Sequence, residues 1–460
     1  MEKQIFEKTD GIRAKAGEEP LTPKTVRQLG IAISQFFNNG KIIIGRDTRE
    51  SGNWITKELE SGLATAGANI VNIGIVPTPV LAVITKFDPS ASGGIMVTAS
   101  HNPATDNGLK IFHENGDKLT NQEELKIEEI FFKTNNSTQS PKTPAPTTPT
   151  PTPDTISLYA SKLAEFIDHT APGASTSGIP GQGFHILTDS AAGASYGLID
   201  VLAAHFGSTV QEIGPKPTGQ NINSDCGAIH PEHLAAAISK HPADLGVALD
   251  GDGDRIILVD DTGRIWDGDR IVAMLALQLR DQAKLDIDSV VLTQYSNLAA
   301  IRYLEQKDIK VEKVDNSDRE VLEKCREIDS PLGGEIAGHV IFTPWLSSSD
   351  DFMITFLVLS ILKQTGKKLS SLWPDYENLP SQQWSIFVRE KIPLDQIPGF
   401  AAALAAQTDA LEDSGRIFVR YSGTEKKLRI LVEATDAAKM QQAGDSLSNL
   451  IKKEIGHDQN

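Results

Sequence analysis

Apolar residues recur along the chain in two rhythms. Lys41-Ile42-Ile43-Ile44-Gly45-Arg46-Asp47 is a short β-branched run ending in charge, and from Asn53 to Ala66 the apolar positions Ile55, Leu59, Leu63 and Ala66 follow one helix face. Gly67 closes that helix, and Asn69 to Gly74 reads as a second strand. The same succession returns at Phe184 to Asp189, a helix through Leu198, Val201 and Leu202, and Thr209 to Gly214. It returns once more at Ser289 to Thr293, a helix through Leu298, Ile301 and Leu304, and Ile309 to Val314. A crossover helix favours parallel pairing of the strands it joins, so three related mixed α/β domains are expected in tandem.

After Leu372-Trp373-Pro374 the rhythm changes. Trp384 to Arg389, Arg416 to Arg420 and Leu428 to Glu433 alternate like strands, with helical spacing over Ala401 to Leu411 and Ala437 to Lys453, which predicts a smaller α+β domain. Between the first two repeats, Thr134 to Ser157 carries prolines at 141, 144, 146, 149, 151 and 153 among threonines. Such a stretch cannot build a core and is expected to be an extended, mobile spacer. The expected division is residues 1–133, a linker at 134–157, then 158–260, 261–370 and 371–460. The longest apolar run, Phe352 to Leu362, is about half a bilayer span and is expected as a buried helix.

Composition narrows the function classes. Acidic side chains outnumber basic ones 61 to 44, a net charge of −17, which argues against nonspecific nucleic-acid or acidic-membrane binding. Cys226 and Cys325 are the only cysteines, so a disulfide framework and a cysteine-rich metal site are excluded and a reducing cytoplasm is expected. Met1 to Phe6 shows no apolar segment of signal-peptide length.

Candidate chemistry lies at the ends of the predicted strands. Gly94 to Val97 is a short strand that runs into Thr98-Ala99-Ser100-His101-Asn102-Pro103, where Asn102-Pro103 starts a turn and presents the Ser100 hydroxyl on a loop. Thr98 and Ser100 in an ordinary hydroxyl-capped turn would look the same. Leu245 to Leu249 delivers Asp250-Gly251-Asp252-Gly253-Asp254-Arg255 before a return strand Ile256 to Val259. Three carboxylates on alternate residues, with glycines letting the loop curl, suit a hard divalent cation, magnesium above all; an EF-hand would want glycine at Arg255 and glutamate at Asp261. Arg420-Tyr421-Ser422-Gly423-Thr424-Glu425, with Arg429, has the composition of a phosphate cradle, and Gly333 to His339 is a glycine-rich loop with one acid and one imidazole for sugar hydroxyls. Gly193-Ala194-Ser195-Tyr196-Gly197 formally matches a serine-hydrolase elbow, but its strand ends several residues too early.

Over essentially its whole length the chain resembles the α-D-phosphohexomutase family. The matching stretches are Thr9-Asp10-Gly11-Ile12-Arg13, Thr98 to Pro103, Asp250 to Arg255, Gly334 to His339 and Arg420 to Glu425. Asp106 to Lys110, Ile222 to Pro231 and Ser296-Asn297-Leu298 look most like the bacterial phosphoglucosamine mutase branch, with phosphomannomutase/phosphoglucomutase the nearer rival. The resemblance implies three tandem related mixed α/β domains plus a C-terminal α+β domain of TATA-binding-protein-like fold, set around a central cleft whose last domain moves on a hinge.

It also implies an intramolecular phosphotransferase interconverting hexose 6- and 1-phosphates, glucosamine phosphate foremost, as a monomer or homodimer. Ser100 would carry phosphate, and Mg2+ would sit on that phosphate with Asp250, Asp252 and Asp254. A hexose 1,6-bisphosphate would be primer and intermediate. Lys110 would be the general base, which asks for a neutral amine, with Arg13 and His101 beside it. Arg255, Arg319, Glu335, His339, Arg420, Ser422, Gly423, Thr424 and Arg429 would hold the sugar phosphate. The chain departs from the family at Lys8, Ser317, Ile336, Ala337 and Lys426. Those at Ser317 and Ala337 fall in sugar-reading loops, so they bear on the sugar and leave open an inactive sugar-phosphate binder.

Overall fold

The computed structural model describes residues 11–134, 153–170, 181–281, 285–315, 317–422 and 425–457. Lys8, Thr9, Asp10, Asn316, Gly423, Thr424 and most of the expected spacer therefore lie outside the described residues. The chain forms two compact units, Met1–Val291 with Ser317–Trp373, and Leu292–Asn316 with Pro374–Asn460.

In the first unit, β1 (Ile12–Lys15), β2 (Lys41–Arg46), β3 (Asn69–Ile75), β4 (Ala91–Val97) and β5 (Asp106–His113) form a sheet in the order β1-β5-β4-β2-β3. β2 runs parallel to β3 and β4, while β5 is antiparallel to β4 and β1. A second sheet of β6 (His185–Asp189), β7 (Thr209–Glu212), β8 (Leu245–Leu249), β9 (Ile256–Val259) and β10 (Ile265–Trp266) has the order β10-β9-β8-β6-β7. Its directions repeat the first: β6 is parallel to β7 and β8, and β9 is antiparallel to β8 and β10. The parallel pairing expected from crossover helices holds in both repeats.

In the third repeat β11 (Ser289–Thr293), the helix Leu298–Gln306 and β12 (Lys310–Val314) follow in the expected sequence. Then β13 (Leu332–Gly334) and β14 (Val340–Phe342) pair antiparallel. Three loops thus occupy one structural position. Residues after β4, after β8 and after β13 each leave a strand end and feed an antiparallel return strand, and these loops contain Ser100, the three aspartates and His339. Ligand-binding loops concentrate at such carboxyl ends of parallel strands.

The first core lies between the first sheet and the helices Pro23–Phe36, Gly52–Ala66 and Asn121–Thr134, with Ile42, Ile44, Leu59, Leu63, Ile127 and Phe131 buried. Phe352 to Leu362 lies in the helix Asp351–Thr365 and is wholly buried, Thr355 and Ser360 included, as its predominantly apolar run predicts. The expected spacer is corrected at both ends: Thr134 ends one helix, and Pro153 begins the helix Pro153–Thr170. Proline suits a first helical turn, and Tyr159, Leu163 and Ile167 beyond it bury a helical stripe.

In the second unit, β15 (Ser381–Phe387), β16 (Gly415–Tyr421) and β17 (Lys427–Ala434) form an antiparallel sheet in the order β15-β17-β16. Ile386, Leu428, Ile430 and Val432 pack against the helices Phe400–Leu411 and Ala437–Ile455. The alternating strands and flanking helices read from the sequence are all present.

Candidate active site

Ser100 sits just beyond β4 with φ of 51°, the left-handed region that residues with a β-carbon avoid. The turn-capping hydrogen bond belongs to Thr98, whose Oγ1 accepts from the Ser100 amide at 2.9 Å. Ser100 Oγ is thereby directed at the acidic loop. It donates to Asp250 Oδ2 at 2.8 Å, lies 3.4 Å from Asp254 Oδ1 and 3.4 Å from His101 Nδ1. The two loops approach so closely that a β-carbon on Gly251 would stand 2.8 Å from the Ser100 carbonyl oxygen, which is why glycine separates the first two aspartates.

Asp250, Asp252 and Asp254 are buried, and ligand oxygens of all three lie within 4.8 Å of one another. The Asp254 amide donates to Asp250 Oδ1 at 3.1 Å, curling the loop inward. Thr78, at the start of the helix Thr78–Phe87, donates from Oγ1 to Asp252 Oδ2 at 2.5 Å. Lys110, on β5, donates to Asp252 Oδ2 at 2.8 Å and Asp254 Oδ2 at 2.5 Å. Asp252 Oδ1 is buried with no hydrogen-bond partner among the described residues, so the cluster keeps an unspent acceptor there. An all-oxygen set with an unspent acceptor fits a hard divalent cation.

Burial, then the charges of Asp254 and Asp252, push the Asp250 carboxyl up to about 8. Burial presses Asp254 the same way, yet Lys110, His339, Lys118 and Arg255 hold it well below the usual carboxylate range. Burial, with Arg255 and Arg13, brings His101 down to about 3, so its ring is neutral beside Ser100.

The loop after β13 completes the group. Gly338 has φ of +95°, and its carbonyl accepts from the Ile256 amide at 3.0 Å, locking this loop against the strand that follows the aspartates. Glu335 stands 3.9 Å from Arg255, and His339 Nδ1 stands 3.9 Å from Asp254 Oδ1. On its other side His339 Nε2 lies 3.5 Å from Asp318 Oδ2, which also pairs with Lys118 at 2.6 Å. Arg319, expected at the sugar, instead bonds Asn121, Glu124 and the Leu119 carbonyl, so Asp318 is the residue of this turn that meets His339. Ser317 is the N-cap of the helix Asp318–Glu327, accepting from the Glu320 amide at 3.3 Å. Ala337 is exposed and Ile336 partly so. Ser195 is buried, and its hydroxyl has no hydrogen-bond partner among the described residues.

Several residues around this cluster carried little signal at the sequence level. Thr78 is an unremarked helix start. Asp47 and Arg49 follow β2, and alternating charge at the end of a parallel strand was their one legible sign.

In the second unit Arg420 donates from Nε to Tyr295 Oη at 3.1 Å and lies 3.6 Å from Asp315. The buried Ser422 receives the Glu425 amide on its hydroxyl at 3.4 Å, and its carbonyl accepts from Lys391 at 2.5 Å. Arg429 lies 3.8 Å from Glu425, while its Nε is buried without a hydrogen-bond partner among the described residues. Lys426 reaches the Arg389 carbonyl at 3.3 Å.

Four family patterns match in order. They are "Phosphoglucomutase/phosphomannomutase, alpha/beta/alpha domain I" at residues 4–138, domain II at 164–263, domain III at 267–379 and the C-terminal domain at 386–449. A phosphoglucosamine mutase of Nautilia profundicola is 37% identical over 451 residues, covering 97% of this chain and 99% of that one. One of Anaeromyxobacter sp. (strain Fw109-5) is 35% identical over 456 residues, covering 97% and 95%. The chain belongs to the phosphoglucomutase/phosphomannomutase family. Members of known structure share the fold at lower identity. A phosphoglucomutase/phosphomannomutase family protein of Burkholderia thailandensis superposes with a TM-score of 0.77 at 22% identity, covering 99% of this chain and all (100%) of that one. Aspergillus fumigatus N-acetylphosphoglucosamine mutase, solved with GlcNAc-6P and magnesium, gives 0.65 at 18% identity, covering 98% and 96%. The loops that meet at Ser100 and Asp250 lie in the stretches matched by domain I and domain II respectively.

Proposed function

We propose that this chain interconverts glucosamine 6-phosphate and glucosamine 1-phosphate, with Ser100 as the phosphoryl carrier and a glucosamine 1,6-bisphosphate as intermediate. The observation that carries the chemistry is Ser100 Oγ at 2.8 Å from Asp250, inside a buried three-carboxylate loop. The sugar is argued from relatives named phosphoglucosamine mutase that align over 97% of the chain.

In the first half-reaction the free sugar hydroxyl attacks phosphorus on phosphorylated Ser100. The P–Oγ bond breaks, and the hydroxyl proton passes to a base. Ser100 Oγ leaves with a proton returned from that base, and in the second half it gives the proton up and attacks phosphorus of the other phosphate, whose bond to the sugar oxygen breaks as that oxygen takes up the proton. Lys110 is the proposed proton carrier. Ionised carboxylates 2.8 and 2.5 Å away favour its ammonium, so accepting a proton requires that grip to be loosened. The neutral His101 ring beside Ser100 can hydrogen-bond the hydroxyl, but the burial and arginine charge that keep it neutral oppose its taking the proton, so it is assigned an orienting role.

Asp250, Asp252 and Asp254 are the residues to hold Mg2+. When bound, it supplies neutralisation of charge on the transferring phosphoryl group. Arg13 and Arg255 add fixed positive charge, and Glu335 and His339 offer hydrogen bonds to sugar hydroxyls. Arg420, Ser422, Gly423, Thr424 and Arg429 are the proposed holders of a phosphate group through guanidinium forks, hydroxyls and amides, and Arg319 is assigned to supporting its loop. Among the described residues no helix is long and apolar enough to cross a membrane. The cytoplasm, where sugar phosphates and reduced thiols occur, is the proposed location.

The test is a mutase assay with glucosamine, mannose and glucose 6-phosphates side by side, with magnesium and the matching bisphosphate. Highest kcat/KM on the glucosamine ester is expected. Ser100→Ala should lose at least about a thousandfold in kcat. Full activity in that variant would sink the mechanism, and preference for the mannose or glucose ester would replace the sugar.

A further inference from the structure

Arg49 is wholly buried, and its five N–H donors all have acceptors. Nε donates to Asp47 Oδ2 at 2.9 Å. Nη2 donates to the carbonyls of Ser100 and Asn102, each at 2.8 Å. Nη1 donates to those of Pro103 and, at 3.0 Å, Asp106. Three carbonyls of one short loop and that of the first residue of β5 thus converge on a single guanidinium. Asn223, from a loop near β8, donates to two of the same oxygens, Ser100 at 2.8 Å and Asn102 at 3.2 Å.

Asp47 reaches the other side of the same residue. Its Oδ2 accepts from Thr98 Oγ1 at 2.7 Å, and Thr98 Oγ1 in turn accepts from the Ser100 amide at 2.9 Å. One ion pair therefore grips Ser100 from both its amide and its carbonyl. The gripped residue is a non-glycine held at a φ of 51°. A side chain there relaxes toward negative φ unless its surroundings over-determine it. Relaxation would swing Oγ away from Asp250.

We infer that Arg49, braced by Asp47, is the positioning residue that keeps Ser100 in its left-handed conformation and so aims Oγ at the phosphoryl-transfer position. This rests on the reading of Ser100 as phosphoryl carrier. Arg49 bonds only the Asp47 carboxylate and backbone carbonyls, and takes no part in proton or phosphoryl transfer. Lysine is no substitute, because an ammonium has three donors and no planar fork.

The test uses the full chain with Ser100→Ala as reference, measuring glucosamine mutase kinetics and, by intact mass, transfer of phosphate from glucose 1,6-bisphosphate to the protein. Arg49→Lys is expected to lower kcat about a hundredfold with KM within about twofold of native, and to slow phosphate uptake in parallel. Arg49→Ala should regain at least about tenfold on adding millimolar guanidinium and nothing with methylammonium, a difference of geometry that a general stability role would not produce. Thr98→Val, which keeps Arg49 and cuts only the link from Asp47 to the Ser100 amide, should lose about tenfold in kcat, and serves if Arg49→Ala does not fold. Arg27→Ala, which breaks the Arg27–Glu58 ion pair elsewhere in the same unit, is the stability control and should keep native kcat. Native kcat in Arg49→Lys, or equal rescue by the two cations, overturns the inference. Full activity in Ser100→Ala overturns the phosphoserine reading instead.

Discussion

Replacing Lys110 by methionine keeps the methylene stem and removes one charge. The ammonium is 2% exposed and bonds two buried carboxylates at 2.8 and 2.5 Å. Removing one partner of a buried ion pair costs about 3–5 kcal/mol, since the remaining charge stays desolvated. At roughly 2–4 °C per kcal/mol for a large domain, Lys110→Met should melt about ten degrees below native in EDTA at pH 8. The pH dependence follows from Asp254, which is held well below the ordinary carboxylate range. Such a group adds stability above its unfolded pKa, near 3.9, and loses it as pH falls through the folded value. Without Lys110 the Asp254 carboxyl climbs, so the gap to native should be widest near neutrality and narrow toward pH 4. Millimolar magnesium, bound by the folded cluster, should close part of the gap. Thermal scans of both proteins across pH, with EDTA or magnesium, supply the measurement. A variant as stable as native in EDTA at pH 8, or a gap that ignores pH, would refute this account of the cluster.

Two further outcomes follow from the same electrostatics. Asp250 is raised to about 8, so its contribution to metal-free stability is full below about pH 4, declines from there and is gone above about pH 8. Urea titrations in EDTA should show native stability falling over that window and Asp250→Asn falling less. Asp351 is buried with neither carboxyl oxygen hydrogen-bonded among the described residues, and burial, then Asp250, Asp254, Asp350 and Asp252, pushes its carboxyl well up. Asp351→Asn should therefore stabilise the protein by about 1–3 kcal/mol at pH 8 and less at pH 5; a destabilised variant at pH 8 would show that the carboxylate is needed where it stands.

The residues that bear the chemistry were legible one loop at a time. The alternate aspartates announce themselves because like charges at that spacing demand a cation, and the three repeats announce themselves because burial imposes period. Spacer residues 153–157 were misread because prolines dominate that composition, while the helical stripe through Tyr159, Leu163 and Ile167 begins only beyond them. The partners of Arg319 were illegible for another reason. Adjacent residues at a helix start point in different directions, and the choice between Asp318 facing His339 and Arg319 facing Glu124 is made by what packs there.

The succession of strands and helices within a repeat, the burial of the apolar helices and the identity of the reactive groups were determined by local pattern, because period and residue chemistry are properties of short segments. Which groups act together was decided only in three dimensions. Ser100 and Asp250 are 150 positions apart and meet at 2.8 Å because two repeats of the same topology turn their equivalent loops toward each other. The grip of Asp47 and Arg49 on Ser100 is of the same kind. No local pattern records it, since a guanidinium that spends its donors on distant backbone carbonyls looks, in one dimension, like any other charge at the end of a strand.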